Sequence, residues 1–103
     1  MRHHAIIVTA WDKKRLEKAH IKATELFEGN VSNLTPIMIN GYCSFFIPPD
    51  GSKAGWDEDI LGDKNREVFK AWLIKHEDIL CVKWIEVLYG DDNGKAEIIS
   101  YNE

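Results

Sequence analysis

The 103-residue chain has few cysteines, few prolines and no long apolar run, and each shortage excludes a class of protein. Its two cysteines, Cys43 and Cys81, lie in separate apolar runs and not in a CxxC pair. Zinc knuckles and dithiol redox motifs are thereby excluded; buried reduced thiols are expected, with a cross-strand disulfide as the alternative. Three prolines and seven glycines are too few for a linker-rich or fibrous protein. The apolar run Ala5 to Trp11 is too short for a signal-peptide core or a membrane span, so the expectation is a cytoplasmic protein without a membrane partner. Positive charge is not in excess: 13 Lys and Arg face 17 Asp and Glu, for a net charge of -4. Sequence-independent binding to nucleic acid needs clustered positive charge, so that partner is disfavoured. No GxSxG elbow, P-loop, HExxH or paired HxT motif occurs, and no cofactor fingerprint. These absences favour a binding protein over an enzyme, with a small hydrolase acting through His3 or His4 as a third reading.

What is present is a 45% hydrophobic, 29% charged composition in one stretch, 1–103, which predicts a single folded domain. Ala5 to Trp11 is apolar at successive positions, as a central strand buried on both faces would be. Asp12 suits a helix N-cap. Leu16, Ala19, His20, Ala23, Leu26 and Phe27 then recur at helical spacing until Gly29. Leu34 to Ile39 and Tyr42 to Ile47 read as a hairpin around Asn40-Gly41, the pair suited to two positive φ angles in a type I′ turn. Pro36 makes the first of these an edge strand. Pro48 to Asp63 reads as a long packed loop, after which Asp63 caps a second helix with Val68, Phe69, Trp72, Leu73 and His76 inward. Ile79 to Tyr89 and Lys95 to Tyr101 complete the set as strands around Gly90-Asp91-Asp92-Asn93-Gly94.

This order, β-α-β-β-α-β-β, predicts an α+β fold: a ferredoxin-like split βαβ with an added C-terminal strand, sheet order 5-4-1-3-2, two helices on one face. Such a sheet leaves one face bare. In the last hairpin's first strand Trp84, Glu86 and Leu88 share one face, and Lys83, Ile85, Val87 and Tyr89 the other. Apolar residues on a bare face predict a homodimer through it.

The same topology gathers His3, His4, Ser52, Lys53, Trp56, Lys64, Arg66 and Tyr89 at one end of the sheet. Amides opening the second helix, with Lys53 and Arg66, would attract an anion; Trp56 or Tyr89 would offer a stacking face, and His3 or His4 a donor to phosphate. The candidate ligand-binding set is therefore His3, His4, Ser52, Lys53, Trp56, Arg66 and Tyr89. Adjacent strand residues point to opposite faces, so His3-His4 is not a metal pair. His20 and His76 read as core histidines, and Asp91-Asp92-Asn93-Gly94 as a turn lacking the spacing of a calcium loop.

The strings HHAIIVTAWD and NGYCSFFIPPDGSKAGW resemble a small uncharacterised protein family of phages, prophages and bacteria. The resemblance covers His3 to Trp56 and the acidic hairpin from Tyr89 to Gly94. It implies a setting and no assigned activity: a phage-associated protein countering host defence. The resulting expectation is a non-enzymatic binding protein that sequesters a small anionic ligand such as a signalling nucleotide; the alternative is an interaction module that binds and inhibits a host protein.

Overall fold

Strand β1 (His3–Ala10) pairs on both sides and buries alternate residues: Ile6 and Val8 are fully enclosed, while Ile7 between them faces outward. The computed structural model describes residues 2–53, 55–90 and 94–102. From β1 the chain continues through α1 (Lys13–Leu26), a tight turn at Ile39–Gly41, β2 (Cys43–Ile47) and α2 (Asp57–Lys75). The short α3 (Glu77–Leu80), β3 (Lys83–Tyr89) and β4 (Glu97–Tyr101) follow. The fold is α+β, with a four-stranded antiparallel sheet in the order β2-β1-β3-β4. Its core packs Leu16, Ala19, Ala23, Phe69, Leu73 and Leu80 from the helices against Ile6, Val8, Phe45, Ile47 and Trp84 from one sheet face. Each such side chain stabilises the fold by about 1.5–3 kcal/mol relative to exposure. Among the described residues, no helix is long and apolar enough to cross a membrane.

Local chemistry accounts for the parts that form as expected. The Asp12 carboxylate accepts from the Lys14 amide at 3.0 Å and caps α1. His20 hydrogen-bonds the Ser32 carbonyl at 2.8 Å and sits edge-on to Phe45, as a satisfied core histidine. Asn40 (φ 60°) and Gly41 (φ 81°) both take positive φ, and the Tyr42 amide closes the turn on the Ile39 carbonyl. Gly41 is required twice over, because a Cβ there would lie 2.8 Å from the Trp11 carbonyl oxygen.

The five-stranded ferredoxin-like arrangement with order 5-4-1-3-2 is not what the chain adopts. The expected edge strand, Leu34 to Ile39, has no regular ladder. Residues 32–38 run beside β2, donating from Ser32, Thr35 and Met38 to the carbonyls of Phe46, Ser44 and Tyr42. The return bonds go elsewhere: the Ser44 and Phe46 amides donate to the hydroxyls of Thr35 and Ser32. Side-chain oxygens thus replace the carbonyls that a ladder needs, and Pro36 has no amide to offer.

The second helix is also longer than expected. It begins at Asp57, not after Asp63, and Asp57, Glu58 and Asp59 in its first turn complement the amide dipole. Its inward stripe is Gly62, Arg66, Phe69, Lys70 and Leu73, with Val68 exposed. Ile79 to Val82 is not strand; α3 occupies Glu77–Leu80 and ends on Cys81 in the left-handed region at φ 51°. Cys43 is accordingly buried, Cys81 is exposed, and both are free thiols. The turn expected over Gly90 to Gly94 lies partly outside the described residues, at 91–93.

Candidate functional site

The residues expected to converge at the His3 end of the sheet occupy separate groups. His3 pairs in register with Tyr89 on the open face, their rings 5.8 Å apart. His4 points to the helix side, where its Nδ1 lies 2.9 Å from the Glu86 carboxylate. Ser52 donates from both its hydroxyl (2.6 Å) and its amide (2.9 Å) to Asp50. Lys53 holds its ammonium 5.8 Å from the ring centre of Trp56, whose indole is 51% exposed and does not plug the core. Arg66 is only 7% exposed and turns inward to Asp63 and Glu86. Of the cations expected at the anion site, Lys53 alone stands beside Trp56. The amides opening α2 already face three carboxylates, and the Gly55 amide donates to Asp59.

Sequence reasoning missed the ionic cluster under α2. Glu86, on the helix-covered face of β3, is 2% exposed and receives Lys70 at 2.5 Å, His4 at 2.9 Å and the Arg66 Nε at 3.9 Å. Lys70 also meets Glu67 at 2.8 Å and the Ser100 hydroxyl at 3.2 Å. Burial would lower the Lys70 pKa, but hydrogen bonds to Glu67 and Glu86 and their charges outweigh it and hold the ammonium above its ordinary 10.5. Burial would likewise raise Asp50; its bonds from Ser52 and the nearby Arg66 charge prevail and keep it below 3.8. The signal for this cluster was visible as Glu86 sharing a strand face with Trp84 and Leu88.

Cavities mark the surface of the described residues. One of about 200 Å³ lies between the end of α1 and the start of α2. It includes Arg66 and Asn65, but also Glu28, Asp50 and Glu58, so its balance is acidic. A groove of about 390 Å³ on the open sheet face runs along Ile7, Lys83, Ile85, Ile98 and Tyr101. Another, about 460 Å³, opens at the far end of the sheet from His3 and is lined by Trp11, Tyr42, Glu77, Cys81 and Lys83 among others.

The architecture defines an α+β protein with one open sheet face. No family model, curated protein or solved structure matches the chain.

Proposed function

We propose that the protein is a non-enzymatic protein-interaction module whose working surface is the open face of the sheet. The supporting observation is the composition of that face. Ile7, Phe46, Ile85, Val87, Ile98 and Tyr101 project from the four strands on the side that the helices leave bare, with Ile98 63% and Tyr101 59% exposed. Together they expose several hundred Å² of apolar surface, the upper range of what monomers leave in water. Lys83, Thr9, Ser44 and Tyr89 surround the patch with polar groups, the usual arrangement of an interface core and rim.

In the isolated protein the occupant is a second copy, presenting the same patch about a two-fold axis. In the phage setting implied by the resemblance, the same patch is the surface that would meet a host protein in exchange for that copy. Sedimentation velocity from about 1 to 100 µM tests the proposal. A mass twice that of the chain is expected, reduced to the single chain by Ile98→Lys. A single chain throughout overturns it. Capture of a small anionic ligand, expected at the start of α2, finds one cation and one indole there; a fuller set lies at the opposite end of the sheet.

A further inference from the structure

The large cleft forms where three strand ends meet. Trp11 follows β1, Tyr42 precedes β2 and Lys83 opens β3, with Glu77 and Cys81 reaching in from the α3 side. Its aromatic residues are left half in water: Trp11 is 50% and Tyr42 46% exposed. Their spacing is built in. Gly41, adjacent to Tyr42, closes to within 2.8 Å of the Trp11 carbonyl when measured from the Cβ that it lacks, so the turn bearing one ring is seated on the backbone bearing the other. Two cations border the rings. The Arg15 guanidinium lies 5.2 Å from the Trp11 ring centre and donates to the Ile79 carbonyl. Lys83 is exposed and forms no ion pair among the described residues. Arg15 also pairs with Asp12 at 3.5 Å, and Glu77 adds a carboxylate to the lining of the cleft. The cavity falls within the roughly 300–1,000 Å³ of small-molecule sites.

We propose that this cleft binds a flat aromatic ligand carrying a negative group, of the size of a nucleoside monophosphate. The ring lies against Trp11 and Tyr42, where stacking replaces poorly hydrated aromatic surface. The anionic group meets Lys83, and Glu77 accepts from hydroxyl or amino groups at the rim. The site adjoins the apolar patch on the sheet; Thr9, Lys83 and Asn102 line both.

Cys81 supplies a reporter, since the residue lines the cleft and is exposed, its thiol donating to the Asp78 carbonyl at 3.5 Å, while Cys43 is buried. The experiment follows thiol modification of the full chain with added AMP, adenosine, 1-naphthoate or inorganic phosphate, alongside calorimetry. AMP is expected to slow Cys81 modification about fivefold or more, adenosine less, and phosphate alone not at all. Protection by 1-naphthoate as well assigns recognition to the shared ring-plus-anion chemistry; protection by AMP alone adds the ribose to what is read. Trp11→Ala and Lys83→Ala, both at exposed positions and checked for folding by circular dichroism, should each weaken AMP about tenfold, equivalent to 1.4 kcal/mol. An unchanged Cys81 rate with millimolar AMP, or protection that survives both substitutions, overturns the proposal.

Discussion

The two faces of the sheet invert the usual distribution of side chains. The covered face encloses a carboxylate, an ammonium and a guanidinium in Glu86, Lys70 and Arg66, while the open face leaves Ile7, Phe46, Ile98 and Tyr101 in water. Charges under a helix are costly to desolvate, and an equally well-packed apolar set is often as stable. What the cluster contributes is position: Lys70 from α2 bridges Glu86 on β3 and Ser100 on β4, fixing where the helix crosses the sheet. The open face has no such internal demand on its side chains, and its apolar character is what the proposed interface would use.

The largest effect should come from breaking the covered face. Glu86→Ala removes the shared partner of Lys70 and His4 and should cost about 3–5 kcal/mol, read as a lower urea midpoint. A cost below about 1 kcal/mol would mean that Glu67 and Asp63 compensate for it. A smaller effect should appear in alkali. Lys70 has a folded-state pKa raised above 10.5, so its stabilisation is complete below that pH and is lost as pH rises through the raised value. Urea unfolding of the native chain and of Lys70→Met should therefore differ at about pH 9 and converge above pH 10.5; a gap of constant size would contradict the assignment. The smallest effect belongs to the open face. Ile98→Lys, the substitution expected to dissociate the proposed dimer, should change the stability of the single chain by no more than about 0.5 kcal/mol.

Elements decided by neighbouring residues were legible in the sequence, and those decided across the fold were not. The Asp12 cap and the Asn40-Gly41 turn depend on a few adjacent groups, and both form as read. The start of α2 was obscured because Trp56 supplies no side-chain cap and Gly62 interrupts the helical pattern. A Cβ at Gly62 would lie 3.1 Å from the guanidinium of Arg66, one turn along the same helix, and 3.3 Å from the Asp50 carboxylate, contacts that one or both side chains would have to shift to relieve. The edge segment failed as a strand because Ser32 and Thr35 take amides that carbonyls would otherwise accept, a competition that alternation of apolar residues does not reveal. At the candidate site, the alternation of His3 and His4 onto opposite faces was readable, whereas the inward turn of Arg66 depended on a helix register extending back to Asp57.

The hydroxyls of Ser32 and Thr35 also govern how the molecule can assemble. They occupy amides along the β2 border of the sheet, whereas β4 pairs only with β3 among the described residues. Head-to-tail growth of one sheet into the next needs two receptive borders, and this chain has one. Association through the β4 border alone would therefore close after two molecules, each contributing its one unpaired edge.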